Sequence, residues 1–77
     1  MPFKDLDCVT LLRRIGGQDE YTGEQHDVPA GKVGTIVNGL FAGKYEVEFL
    51  LTGANGLFSV VKEVPAEYLA PYVENAV

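Results

Sequence analysis

The stretch that decides the fold is “YEVEF”, residues 45–49, in which three apolar side chains alternate with two glutamates. A side-chain period of two indicates a β-strand with one buried face and one solvated face. The β-branched runs “KVGTIV” (residues 32–37) before it and “LFSVVKEV” (residues 57–64) after it predict two further strands. Glycine-containing junctions separate the three runs, which together predict an antiparallel meander.

The tetrapeptide “NGLF” occurs twice in this meander, at residues 38–41 and 55–58. Asn-Gly accepts positive φ at both central positions of a type I′ turn, so the second copy predicts a tight hairpin. The first copy lies in a longer tip between Val37 and Lys44. Because the flanking sequences differ, we interpret the repetition as two turns that are spelled alike. Phe41 in the first tip either folds back on the domain or is exposed and marks a contact.

The first strand is predicted from “DCVTLLRR”, residues 7–14, which is aliphatic and β-branched. Val9 and Leu11 are expected to face inward, although Leu6, Cys8 and Leu12 offer the opposite parity. Cys8 is the single cysteine of the chain. We expect it to behave as a small buried apolar residue rather than as a nucleophile.

The last elements are predicted from “VPAEYLAPYV”, residues 64–73. Pro65 suits the first turn of a helix, and Pro71 follows six residues later. This spacing leaves room for a single helical or 3₁₀ turn and then a short final strand over residues 71–73.

A long surface loop is predicted for residues 15–31, “IGGQDEYTGEQHDVPAG”. Neither a period of 3.6 nor a period of two organises its few apolar residues. Loops of this length are uncommon in so small a domain and are often functional or mobile.

Composition predicts one globular domain spanning residues 1–77, because 47% of the residues are apolar and 22% are charged. The net charge of −5 would repel phosphate backbones, so nucleic acid is disfavoured and a basic protein is the better partner. A lone cysteine, no signal-peptide pattern and no apolar run of membrane-spanning length predict a cytoplasmic protein without a membrane partner.

The predicted order of strand, long loop, meander, 3₁₀ turn and short strand is the layout of SH3-like small barrels. “DCVTLLRR”, “VPAGKVGTIV”, “YEVEF” and “VPAEYLAPY” together resemble a bacterial family described only as a domain of unknown function. The pattern is more distantly similar to the barrel subunit that docks ferredoxin on photosystem I. Through Gly31, Gly34 and Ile36 it is also similar to ribosome-associated KOW modules. The resemblance implies an all-β, five-stranded SH3-like small barrel, and the two distant relatives imply docking and RNA contact respectively.

Catalytic chemistry is not predicted, because Cys8 and His26 are the only thiol and the only imidazole and lie on different predicted elements. No cofactor is predicted. The carboxylates of the long loop do not follow the EF-hand spacing, so we expect a solvated acidic loop rather than a metal site.

An interaction surface is the preferred hypothesis for this chain. The long loop and the 3₁₀ turn line one surface in SH3-like barrels, so Tyr21, Tyr68 and Tyr72 are expected to converge there. The alternative is that Tyr68 or Tyr72 caps the open end of the barrel. The predicted contact residues for a protein partner are Asp19, Glu20, Tyr21, Glu24, Asp27, Phe41, Tyr68 and Tyr72.

Two other functions stay open from the sequence. One is an antitoxin or immunity-type neutraliser of a basic nuclease, which an acidic domain would suit electrostatically. The other is a KOW-like nucleic-acid-binding module. A homodimer formed by edge pairing is also possible, because the strands carry more apolar residues than one small barrel needs: Val33, Ile36, Val37, Leu50 and Leu51.

Overall fold

Five strands and one 3₁₀ turn make up the regular structure of residues 3–39 and 42–73, the parts of the chain that this computed structural model describes. The elements are β1 (Cys8–Leu11), β2 (Val33–Gly39), β3 (Lys44–Gly53), β4 (Gly56–Pro65), the 3₁₀ turn (Ala66–Tyr68) and β5 (Leu69–Pro71). No helix in the described ranges is long and apolar enough to cross a membrane.

The strands form one antiparallel sheet in the order β4-β3-β2-β1-β5. Pairing of β3 with β4 runs without interruption from Lys44 opposite Pro65 to Gly53 opposite Gly56. The sheet curls around its core but does not close, so β4 and β5 are its edges. The predicted all-β fold of five strands, with a 3₁₀ turn before the last strand, is confirmed.

The first strand faces as predicted, because Val9 and Leu11 are fully buried. The prediction that Cys8 is buried is wrong: its side chain is exposed on the opposite face of β1. The last strand begins earlier than predicted. Leu69 pairs with Leu11, while Leu12 already donates its N–H to the carbonyl of Tyr68 at 2.7 Å.

The second “NGLF” does form a tight hairpin, but its turn is not of type I′. Ala54 and Asn55 are the two residues between the paired Gly53 and Gly56. Neither has positive φ, whereas Gly56 has φ of 106°. Gly56 therefore supplies the left-handed residue after the turn. Phe41 of the first copy lies outside the described residues.

The core is one apolar cluster to which every strand contributes. Its members are Val9, Leu11, Val28, Ile36, Tyr45, Val47, Phe49, Val60, Val64 and Leu69. Ile36 thus belongs to the core, and of the apolar residues considered for a dimer only Val33 and Leu50 have exposed side chains. Val28 comes from the predicted surface loop, so that loop helps to close the core.

Gly34 marks the closest approach within the sheet. A Cβ atom at this position would lie 2.7 Å from Phe49 Cε1 and 2.7 Å from Val47 Cγ1, both in the core. The absence of a side chain at Gly34 therefore leaves room for the Phe49 and Val47 side chains to pack against β2.

We expect Gly34→Ala to destabilise the fold by about 1–3 kcal/mol, because the methyl group must displace packed side chains. The matched control is Gly39→Ala on the same strand, where an added Cβ meets no described atom within 4 Å. Urea denaturation of both variants checks this. Equal midpoints for the two variants would contradict the packing argument.

Candidate functional site

The segment of residues 15–31, called the acidic loop below, is more ordered than the sequence predicted. Its two arms pair through bridges between Ile15 and Val28 and between Gln18 and Gln25. Ile15 and Val28 exchange both backbone hydrogen bonds, at 3.0 and 2.8 Å. The predicted surface loop contains no named strand or helix. The sequence did not predict the pairing of its arms, because the two apolar residues that organise them lie far apart in the chain.

The tip of the acidic loop docks on the outer edge of β4 through Asp19. One carboxylate oxygen of Asp19 accepts the N–H groups of Tyr21 at 2.7 Å and Thr22 at 2.9 Å. The other accepts the N–H of Val61 on β4 at 2.9 Å. Glu20 donates its own N–H to the Val61 carbonyl at 2.8 Å. Asp19 and Glu20 together thus satisfy both backbone groups of Val61.

These hydrogen bonds hold the pKa of Asp19 below its ordinary value. The largest effect comes from the N–H of Thr22, followed by those of Tyr21 and Val61, and all three favour the ionised carboxylate. Asp19 is only 5% exposed. Its carboxylate is therefore hydrogen-bonded within the protein, so Asp19, one of the predicted contact residues, is not available to a partner.

A second tie between the acidic loop and β4 comes from Lys62. Its side chain is 2% exposed, and its ammonium group donates a hydrogen bond to the Gly17 carbonyl. Burial lowers the pKa of Lys62, while the negative charges of Asp19, Asp27 and Glu20 oppose that shift. Sequence reasoning missed this role; the one available signal was a lysine within the β-branched run of β4.

Three of the predicted contact residues remain exposed on the docked loop: Glu20, Tyr21 and Glu24. Tyr21 is 72% exposed. Asp27 is also exposed, but its carboxylate accepts a hydrogen bond from Arg14 Nη1 at 2.8 Å. The acidic surface of the loop that no described Lys or Arg pairs with is thus formed by Glu20 and Glu24, and Tyr21 lies next to Glu20 in the chain.

The other two predicted tyrosines occupy the opposite edge of the sheet. Tyr68 packs partly against the core, and the Arg13 guanidinium lies 4.7 Å from its ring centroid. Tyr72 is 44% exposed and donates its N–H to the Cys8 carbonyl. The ring pairs within the described residues are Phe3–Tyr45 and His26–Phe58. The three predicted tyrosines therefore make no ring contact with one another.

A groove of about 340 Å³ lies between the acidic loop and the β3–β4 hairpin, and we call it the hairpin groove. Glu24 and His26 line its loop side, and residues 53–58 line its hairpin side. The His26 and Phe58 rings are 5.0 Å apart between centroids, and His26 Nε2 lies 3.1 Å from Glu24 Oε1. The sequence did not predict this groove, because its two walls are far apart along the chain.

A second cleft, of about 450 Å³, adjoins β5 and the 3₁₀ turn. Its lining residues are Phe3, Ala66, Glu67, Leu69 and Pro71. Glu67 provides the one carboxylate of this lining, and none of the lining residues belongs to the acidic loop. Within the described ranges, no three or more His, Cys, Asp or Glu side chains cluster closely enough to hold a metal ion.

Comparison with known proteins leaves the resemblance to the bacterial SH3-like family a prediction. No protein family matches the chain, and no curated protein or solved structure is significantly similar to it.

We expect Asp19→Asn to lower the melting temperature and to speed hydrogen exchange at the amides of Tyr21, Thr22 and Val61. An amide side chain has a single acceptor oxygen, so it cannot replace both carboxylate oxygens. Because the folded-state pKa of Asp19 is lowered, its stabilising effect is complete above the ordinary value of 3.8 and is lost as pH falls through the folded-state pKa.

Thermal denaturation of both proteins from neutrality to well below pH 3.8, the ordinary pKa of Asp19, follows this loss. The difference in melting temperature between wild type and Asp19→Asn should be constant near neutrality and should shrink at the acidic end. Glu20→Gln is the matched control, since this neighbouring carboxylate is exposed. A difference that does not change with pH would contradict the role of the ionised Asp19.

Proposed function

We propose that this protein is a non-enzymatic interaction module that binds a positively charged segment of another protein through the acidic loop. The observation that carries the proposal is that the loop uses one of its carboxylates for internal hydrogen bonds and leaves others exposed. Asp19 is used internally and fixes the loop on β4, while Glu20, Tyr21 and Glu24 stay exposed. A surface that is already ordered loses less entropy when it binds a partner than a flexible loop would lose.

The charges around the loop support a basic partner. Lys62, whose charge interacts with that of Asp19, is buried, and Arg14 is paired with Asp27. Neither offsets the outward charges of Glu20 and Glu24 as an exposed free lysine would. The whole chain, with these carboxylates included, has a net charge of −5. Opposite charge on a partner would speed encounter and make binding dependent on salt.

The chemistry of the hairpin groove supports binding rather than catalysis. His26 with Glu24 resembles a base and its orienting group, but the described residues that line the groove include no Ser, Thr, Cys or Lys that it could activate. Cys8 lies on the outer face of β1, away from the acidic loop in the sheet order.

We propose a cytoplasmic setting for this module. A neutraliser of a basic toxin, the alternative function, would use the same acidic surface.

The test is retention of basic proteins from a host lysate by the immobilised domain at about 50 mM salt, where exposed charges are weakly screened. We expect Glu20→Gln/Glu24→Gln to reduce retention about fivefold to thirtyfold, because each of the two exposed charges contributes on the order of 0.5–1 kcal/mol to such contacts. Quantitative mass spectrometry measures the retained proteins.

The matched control is Glu67→Gln, which removes an exposed carboxylate from the 3₁₀ turn instead. It should leave the retained set unchanged. Equal retention by the wild type and the double variant would refute the proposal, and so would an equal loss with Glu67→Gln.

A further inference from the structure

The two edges of the sheet are protected to different degrees. An exposed edge strand presents unpaired N–H and C=O groups that can accept a further strand, and proteins usually block such edges. At one edge, β5 is three residues long and ends in Pro71. At the other edge, β4 is ten residues long. The edge of β4 is therefore the one at which a strand could be added.

The register of the sheet shows which groups of β4 point outward. Val61 directs both its N–H and its C=O away from β3 and toward the acidic loop. Hydrogen-bonding direction alternates along an antiparallel pair, and β3 and β4 pair without a bulge. Leu57, Ser59, Glu63 and Pro65 therefore have the same outward direction as Val61.

The C-terminal half of this edge is blocked in three ways. Pro65 has no N–H to offer. Glu63 places a charged side chain at the edge, where its carboxylate lies 3.7 Å from Lys44 Nζ. Val61 is covered by Asp19 and Glu20 of the acidic loop. The outward positions from Val61 to the end of the strand are thus covered by the loop, protected by a charge or without an N–H donor.

The N-terminal half of the same edge is open. No backbone hydrogen bond from a described residue reaches the outward groups of Leu57 or Ser59. Both residues are exposed, Leu57 to 71%. Phe58 lies between them and lines the hairpin groove. The open half of the edge therefore borders the groove whose loop side carries Glu24 and His26.

We infer that the open edge at residues 57–59 accepts an extended, lysine- or arginine-bearing segment of a partner protein as an added β-strand. Main-chain hydrogen bonds to Leu57 and Ser59 would give affinity, and alternate side chains of the segment would enter the hairpin groove. This inference rests on the proposed function and specifies the conformation of the partner.

Charge decides between the candidate occupants of the edge. Glu24 lies in the hairpin groove, Glu20 is exposed nearby on the docked loop, and none of the described lining residues is Lys or Arg. A second copy of this chain would bring a further net charge of −5 to the same place. A basic segment gains from this arrangement, whereas a second copy is repelled.

The test uses a hexapeptide of alternating Lys and Val with blocked termini, titrated into the full ¹⁵N-labelled chain. In the free protein the amides of Leu57 and Ser59 should exchange quickly and that of Val61 slowly. Bound peptide should slow exchange at Leu57 and Ser59. Sedimentation of the free protein should show a monomer.

Two isomeric peptides provide the control for strand pairing. One is N-methylated at its lysines and the other at its valines, so each lacks the N–H donors along one of the two edges of the extended peptide. The two peptides carry the same charge. We expect the two affinities to differ about tenfold, because one isomer loses hydrogen bonds to β4 and the other does not. Ser59→Pro should weaken binding of the unmodified peptide similarly, whereas Ser59→Ala, which keeps the N–H, should not.

The outcomes separate the inference from the proposed function. Glu20→Gln/Glu24→Gln should weaken the peptide severalfold; if it does not, the acidic loop is not the binding surface and the proposed function fails. If the charge variant weakens binding but both methylated isomers bind equally and Ser59 gains no protection, only strand addition fails. A dimer whose Ser59 amide is protected without peptide would also overturn the inference, and so would a complete lack of peptide binding.

Discussion

The fold of the acidic loop depends on one carboxylate, which accepts a hydrogen bond from the edge of β4 where a further strand would otherwise pair. Asp19 accepts the outward N–H of Val61 and also the N–H groups of Tyr21 and Thr22, so a single side chain shapes the loop tip and attaches it to β4. Buried backbone groups must be satisfied, and this arrangement satisfies the buried N–H of Val61 together with two partly buried N–H groups of the loop. The loop can then close the side of the core that the open sheet leaves uncovered, and it delivers Val28 to that core.

Lys62 makes a second attachment between β4 and the acidic loop through its buried side chain. A buried ammonium group is costly unless it is paired, which explains its lowered pKa and its bond to the Gly17 carbonyl. The acidic residues of the loop surround it at longer range. The loop is therefore anchored on β4 at two successive residues, Val61 through its backbone and Lys62 through its side chain. Only the carboxylates that neither anchor uses are left for a partner.

The same attachment divides the edge of β4 into two halves. Where Asp19 and Glu20 lie, the edge is covered, and beyond them Glu63 and Pro65 discourage pairing. Leu57 and Ser59 have no such protection among the described residues. An open sheet edge beside a groove is a common way to bind an extended peptide. The docking of the loop decides which half of the β4 edge stays open, so it also determines the proposed mode of binding.

Much of the framework could be predicted from the sequence because it depends on local periodicity. The alternation over residues 45–49 identified β3 and its buried face, Asn55-Gly56 identified the hairpin, and the two prolines bracketed the 3₁₀ turn. Cys8 was misplaced because its buried character was inferred from residue type, whereas its position on β1 puts it on the outer face. The turn type was missed because the left-handed residue follows the two central positions.

What the amino-acid sequence determined by itself is therefore the strands, their order along the chain and the acidity of the long loop. Only the tertiary structure decided the use of each loop carboxylate. In the sequence Asp19, Glu20 and Glu24 are equivalent acids, and their difference arises because Asp19 meets the Val61 amide, which lies 42 residues away. Contacts of that separation are set by how the sheet and the loop fold together, and no local pattern encodes them.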